Sequence, residues 1–444
     1  MQSELYKLID SYRDDMLEDL RGFIAIPSCS KDLPKVREAL DYGLDLGRRM
    51  GLHSYSVLDR QVGLIELGDG EEMLGILTHV DVVPPGDAED WNTPPFDMII
   101  QDGRAYGRGT LDDKGMIIAS LYAMKAVKSL GVPLFKKTQL IMGTQEEVEW
   151  TDMDEYILRY PLPDYGFTPD GEYPICNIEK GVIDVTMTFD VREDTPSDLP
   201  YIESCDIGVA TNTVPGRASC TLSDGRTISA VGRSIHACQP ENGVNAIFEL
   251  TKELSEMDIA DTKVFRLFKA ISKDLSDCFG KPIGLYSESE YYEGEFVHRN
   301  ALSPTILKTD GKTAELNVNL RYPYGASEKD IVKAFSDWAA PLGGTVIKTN
   351  GLHAVFVSQK KPFLKAFAKA YENVTGLKNE FTLAYGGSYA KAMPNIVSWG
   401  PLFPDEVDTC HEPNEYINID SLIASAKIFA ESIFEIATKE TSFK

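Results

Sequence analysis

No stretch of this 444-residue sequence approaches eighteen uninterrupted apolar residues, and the opening MQSELYKL lacks the basic-then-apolar order of an export signal. A membrane span and secretion are therefore not expected, and a cytoplasmic location is. Cysteine is sparse: the seven are scattered and include no Cys-x-x-Cys pair, which speaks for reduced thiols rather than a disulfide framework. Positive charge is short as well. The 44 Lys and Arg against 69 Asp and Glu leave a net charge of -25 that would repel a phosphate backbone, so nucleic acid is excluded as a partner. Low-complexity tracts and short internal repeats are absent.

What remains is an ordinary globular composition, 43% hydrophobic and 25% charged, in a chain longer than one hydrophobic core usually organises. Helical spacing of apolar residues over 4–26 predicts an amphipathic helix ending at Pro27. Apolar runs at 73–80 and 138–143 read as buried strands around a helical pattern at 116–130, and strand, helix, strand implies a parallel α/β sheet. From Val182 the texture changes to alternating strands (183–191, 305–308, 313–322) with helices at 244–257 and 327–339. Helices at 362–374 and 419–437 restore the first texture. The expected architecture is thus an α/β catalytic domain, a mostly parallel sheet flanked by helices, in two parts (1–180 and 356–444), with an α+β lid domain (181–355) inserted.

Five loops carry chemistry. Thr78-His79-Val80-Asp81 lies at a strand end, where residues two apart share a face, so His79 and Asp81 can serve one site. Gly107-Arg108-Gly109-Thr110-Leu111-Asp112-Asp113-Lys114-Gly115 is a glycine-punctuated loop before a helix; Asp112 reads as a ligand and Asp113 equally as a helix N-cap. Glu146-Glu147 follows the second buried strand, and Pro169-Asp170-Gly171 and His411-Glu412-Pro413-Asn414-Glu415 complete the set. Each alone is also compatible with a solvated turn. Together, His79, Asp112, Glu147, Asp170 and His411 make a donor set of two imidazoles and three carboxylates, suited to zinc, manganese or cobalt rather than to a thiolate site. Two divalent cations against three carboxylates and one hydroxide give a neutral cluster, whereas one ion leaves surplus acid.

In this order the five motifs, with Trp91 to Phe96 before the glycine loop, resemble the co-catalytic two-metal metallopeptidase family of aminoacylase, succinyl-diaminopimelate desuccinylase and carnosinase, and most closely its bacterial dipeptidases of the peptidase V type. The resemblance spans nearly the whole chain. It implies that His79, Asp112 and Asp170 hold one metal and that Glu147, His411 and the bridging Asp112 hold the other, with zinc foremost. It further implies that Asp81 orients His79 and that Glu146 is the general base toward a bridging water. His236, in Gly232-Arg233-Ser234-Ile235-His236, is similar to the family's lid histidine that stabilises the oxyanion. Asn212 and Arg321 resemble lid positions that contact substrate, Arg321 being suited to a free carboxylate. Gly386, Gly387 and Ser388 look like the glycine-rich loop that meets that carboxylate, with serine where related dipeptidases often have threonine and Lys391 where many have arginine. His53, His298 and His353 match no motif and read as surface histidines.

The resemblance implies a dipeptidase acting on unmodified short peptides, monomeric because the long lid supplies its own histidine. An N-acyl amino acid deacylase or desuccinylase would use the same metals, and a non-catalytic metal-binding scaffold would have lost a ligand or the base, of which none is missing.

Overall fold

The structure, a computed structural model, describes residues 2–192 and 198–444; Met1 and residues 193–197 lie outside it. The chain divides into two compact units, Met1–Asn177 with Phe356–Thr382 and Ser388–Lys444, and Ile178–Val355 with Leu383–Gly387. The return of residues 383–387 to the second unit is a detail that the texture of the sequence does not announce.

The first unit is built on a mixed sheet. Its strands run in the spatial order His53–Val57, Val62–Leu67, Lys137–Gly143, Met73–His79, Tyr165–Thr168, Ile396–Ser398. The last four pair in parallel, and the first two join antiparallel at the edge. Every residue of Met73–His79 is buried, which is why this strand reads as a continuous apolar run rather than an alternation. The crossover helix Lys114–Ser129 is buried around most of its circumference and packs against the closing helix Ile419–Ala437. The single helix expected over 4–26 is two, Gln2–Ser11 and Arg13–Ile24. They part at Tyr12, whose φ of −92° and ψ of 0° leave the helical region and whose ring packs 5.6 Å from that of Tyr122.

Close strand packing fixes where the loops emerge. A Cβ on Gly166 would lie 2.0 Å from the Gly75 carbonyl oxygen on the neighbouring strand, so only glycine lets the strand that leads to Asp170 pair at this spacing.

The second unit is a seven-stranded antiparallel sheet in the order Thr227–Val231, Arg217–Leu222, Ile202–Ile207, Ala301–Thr309, Thr313–Tyr322, Gly181–Asp190, Gly344–Leu352. Gly181–Asp190 alternates buried and partly exposed positions along almost its whole length. Helices Ala246–Ser255, Lys263–Asp274 and Glu328–Ala339 contribute apolar side chains to its core. The middle helix was missed although Val264, Phe265, Leu267, Phe268 and Ile271 form a regular apolar stripe with Lys263, Arg266, Lys269, Lys273 and Asp274 around it, a signal that the sequence did carry. Among the described residues no helix is long and apolar enough to cross a membrane.

Gly166→Ala should force the two central strands apart and cost about 1–3 kcal/mol, read as a lower denaturant midpoint; a midpoint equal to that of the parent chain would show that the pairing relaxes without penalty.

Candidate active site

Three neighbouring parallel strands end at one place. His79 is the last residue of Met73–His79, Gly143 of Lys137–Gly143 opens onto Glu146 and Glu147, and Thr168 of Tyr165–Thr168 precedes Asp170. Carboxyl ends of parallel strands are where open α/β sheets bind ligands. At His79 the ring Nδ1 lies 2.9 Å from the main-chain carbonyl oxygen of Asp81, an acceptor only, so Nδ1 carries the proton and Nε2 keeps its lone pair. The Asp81 carboxylate is slightly farther, at 3.5 Å, and accepts the backbone N–H groups of Glu146 (3.2 Å) and Glu147 (3.3 Å). Asp81 therefore positions both the imidazole and the acidic loop.

The glycine loop is organised from the other end of the sequence. Fully buried Glu415 accepts N–H bonds from Gly109 (3.0 Å), Leu111 (2.9 Å) and Asp112 (3.2 Å) and pairs with the Arg108 guanidinium at 2.6 Å. Burial pushes its carboxyl up to about 7 while Arg108 pulls it back. Lys114 Nζ donates to the carbonyls of Phe23 (3.2 Å) and Ile26 (2.7 Å), tying the loop to the second helix. Asp113, an N-cap candidate from sequence, makes no capping bond; its carboxylate instead accepts the His79 N–H at 3.3 Å. The helix begins there without a side-chain cap because that carboxylate is turned inward.

The Glu146–Glu147 loop has a second anchor. Asp152 Oδ2 accepts the N–H groups of Thr144 (2.6 Å) and Gln145 (3.2 Å) and the Tyr389 hydroxyl (2.9 Å). On the opposite side His411, at a φ of 63°, reaches Asp112 Oδ2 at 3.0 Å and Glu147 Oε2 at 3.1 Å through Nε2.

Two groupings of donor atoms result, each with its atoms within 4.8 Å of one another: His79, Asp112 and Glu147; and His79, Glu146 and Asp170. Glu146, expected as a base free of metal, thus lies beside the donors His79 and Asp170. His79 Nε2 and Asp112 Oδ1 are 2.9 Å apart yet not aligned as a hydrogen bond, and both, with Glu147 Oε1, are buried without a hydrogen-bond partner. Lone pairs so placed fit a shared cation between them better than they fit each other. The electrostatics agree. Burial, reinforced by the Asp170 charge, pushes Glu146 well up, and burial and Asp112 raise Glu147. Contacts with Asp112 and Glu147 push His411 up to about 11. Glu146, Glu147 and His411 are all pushed toward their protonated forms by burial or by the acids around them, and divalent ions would relieve that crowding through an imidazole and carboxylate set suited to zinc, manganese or cobalt.

The remaining candidates lie in the second unit, apart from Ser388. Asn212 and His236 are neighbours: the Asn212 carbonyl accepts the Ala237 N–H at 2.8 Å, and Thr213 pairs with His236 in a short ladder. His236 is exposed, and its Nδ1 accepts the Cys238 N–H at 3.2 Å, which leaves the ring proton on Nε2. Partial desolvation of the ring and the Arg321 charge hold the imidazole below its ordinary value, which favours the neutral form. Arg321 is buried and donates to Asn319 Oδ1 (3.2 Å) and the Tyr385 carbonyl (2.9 Å). Gly386 and Gly387 are exposed, while the Ser388 hydroxyl accepts the Ala390 N–H at 3.3 Å and starts a short turn of helix.

The sequence reading passed over Glu415, Arg108, Asp152 and Tyr389 as positioning groups. Glu415 stands inside a recognised motif, and a carboxylate beside a ligand is a signal that was available; Tyr389 ends the glycine-rich loop but its link to Asp152, far away in sequence and in no motif, offered none.

A profile described as peptidase family M20/M25/M40 matches residues 75–435. "Putative dipeptidase YtjP" of Bacillus subtilis is 32% identical, covering 96% of this chain and 98% of that protein. A "Putative dipeptidase" of Staphylococcus epidermidis is 31% identical over 97% of this chain and 98% of its own length. Among solved structures, aminoacylhistidine dipeptidase from Vibrio alginolyticus has the same fold with a TM-score of 0.68 at 14% identity, covering 96% of this chain and 97% of that one. Human carnosine dipeptidase 1 gives a TM-score of 0.61 at 16% identity with 98% of both chains covered.

Replacing Glu415 by alanine leaves the Arg108 charge buried alone and four donors without their acceptor. The expected cost is roughly 3–5 kcal/mol together with weaker Zn2+ binding, measured by thermal unfolding and metal titration; unchanged metal affinity would mean that the Asp112 loop keeps its place without Glu415.

Proposed function

Because the chain belongs to peptidase family M20/M25/M40, we infer that it is a metal-dependent dipeptidase that hydrolyses the peptide bond of unmodified dipeptides. The observation that carries the reading is the convergence of His79, Asp112, Glu146, Glu147, Asp170 and His411 where three parallel strands end. In this proposal His79, Asp112 and Asp170 hold one divalent ion and Glu147, His411 and the shared Asp112 the other, with zinc the expected metal and manganese or cobalt compatible with the same donors. When bound, such ions lower the pKa of a water molecule and polarise the scissile carbonyl.

The chain's own residues do the rest. Glu146, whose carboxyl is pushed up by burial and by the acids around it, takes a proton from the attacking water and hands it to the leaving amine. Asp81 keeps the His79 lone pair directed and holds the Glu146 backbone, so base and ligand keep a fixed spacing. His236 offers its Nε2–H to the carbonyl oxygen as negative charge develops there, and Asn212 supports that contact. Arg321 takes the substrate's free carboxylate with a guanidinium nitrogen that the fold leaves unused, helped by the backbone of Gly386 and Gly387 and by Ser388. The seven thiols are free, which supports a reducing cytoplasmic setting. A monomer is the assembly this reading needs, since one chain carries every group.

Metal-loaded enzyme should cleave a panel of unmodified dipeptides in preference to N-acetyl and N-succinyl amino acids; cleavage of the acylated compounds alone would move the function to deacylation. Glu146→Gln should lower kcat by about 10²–10⁴-fold while binding metal normally, and parent-like turnover would remove Glu146 as the base. Arg321→Ala should raise KM for dipeptides far more than it lowers kcat, and an unchanged KM would show that the carboxylate is held elsewhere.

A further inference from the structure

The second unit carries an aromatic surface that the reaction has not used. Arg321 gives one terminal nitrogen to the main-chain carbonyl of Tyr385, 2.9 Å away, and the Tyr385 ring follows directly. The His298 ring meets it edge-on at 5.8 Å, Phe296 meets His298 at 5.5 Å, and Tyr291 meets Phe296 at 5.7 Å. These rings form a continuous row whose first residue, Tyr385, is tied to the guanidinium through its main chain. Tyr291 is 60% and Phe296 44% exposed, a poor arrangement for large apolar side chains unless something covers them.

The row is held rigidly. Tyr291–Tyr292 and Glu295–Phe296 form a hairpin turned through Glu293 and Gly294, both in the left-handed region at φ 49° and 87°. The Val297 N–H closes it onto the Glu290 carbonyl at 2.9 Å, and the Arg299 guanidinium lies 3.0 Å from the Glu290 carboxylate. His298 is itself left-handed, at φ 62°, and accepts the Arg299 N–H on its Nδ1 at 2.7 Å. Lys180 joins the two ends: its Nζ donates to the Arg299 carbonyl and lies 5.2 Å from the centre of the Tyr385 ring. A histidine kept in an uncommon backbone conformation, with its ring fixed between two others, belongs to a built surface and not to a solvated turn.

In an α-amino acid the side chain begins about 2.5 Å from the carboxylate carbon. A residue whose carboxylate is gripped by Arg321 therefore presents its side chain close to Arg321, where Tyr385 is bound through its main chain and the His298 ring packs against the Tyr385 ring. We propose that Tyr385, His298 and Phe296 form the recognition surface for the side chain of the substrate's C-terminal residue, and that this surface selects aromatic and large apolar residues over small ones. Ring edges and faces in this arrangement suit edge-to-face packing with an incoming aromatic ring.

The inference rests on the assignment of Arg321 to the substrate carboxylate, which a dipeptide and an N-acyl amino acid share, so it can be tested apart from the dipeptidase reading. The experiment compares kcat/KM for Ala-Phe and Ala-Gly, and in parallel for N-acetyl-Phe and N-acetyl-Gly, with metal-loaded parent enzyme, His298→Ala and Phe296→Ala. The parent should favour the phenylalanine member of whichever pair it cleaves by about tenfold or more, and both variants should shrink that ratio several-fold. Cleavage confined to the acetylated pair with the preference intact would end the dipeptidase reading and support the aromatic surface. A parent ratio near one, or a ratio unmoved in both variants, overturns the proposal; the parent ratio decides even if a variant fails to fold.

Discussion

Carboxylates crowded beside two imidazoles are the constraint around which the first unit is arranged. Asp112, Glu147 and Asp170, with Glu146 among them, converge where three strands end. Burying one ionised carboxylate without a partner is costly, and burying several together is costlier. The two cationic side chains of the adjacent loop do not relieve this: Arg108 is taken by Glu415, and Lys114 faces main-chain carbonyls. Burial pulls the Lys114 amine down to about 7, so even its charge is weak. Neither of these two loop cations is thus spent on the group, which leaves room for bound ions to compensate it.

Such a group needs a stiff frame, because like charges otherwise move apart. The frame is made mainly of backbone amides. Asp81 gathers those of Glu146 and Glu147, Asp152 those of Thr144 and Gln145, and Glu415 those of Gly109, Leu111 and Asp112. Three acids that bind no metal in this account thus hold the loops that do. A carboxylate that accepts several amides is fixed in direction, which a flexible lysine partner would not ensure.

How much of this was legible depended on whether a residue's role is local in sequence. The buried strand Met73–His79 and the helix Lys114–Ser129 were visible because their apolar runs are long, and the candidate metal residues because each sits in a short motif. Asp152 was not, since it lies in no motif and its partner Tyr389, at the end of the glycine-rich loop, is 237 residues away. The break at Tyr12 was hidden for a different reason: the apolar spacing continues across it, and only packing against Tyr122 shows why the backbone turns. His298 read as a surface histidine because Tyr385, whose ring it meets, comes from a distant segment, and a histidine alone carries no pattern.

The second unit presents the opposite charge problem, solved in the same way. Arg321 is buried, yet its two hydrogen bonds within the fold go to neutral acceptors, Asn319 Oδ1 and the Tyr385 carbonyl. Asp184 is the acid in reach, and Asn319 stands between them, donating to Asp184 at 2.8 Å while accepting from Arg321. Direct contact between Asp184 and Arg321 would form a closed ion pair and leave the guanidinium nothing to offer. With the asparagine interposed, the acid steadies the positive charge without consuming it. One unit therefore retains negative charge that cations can satisfy and the other retains positive charge that a carboxylate can satisfy. In each case the unfavourable burial is tolerated by the fold and relieved by the ligand, so the relief adds to binding instead of to stability.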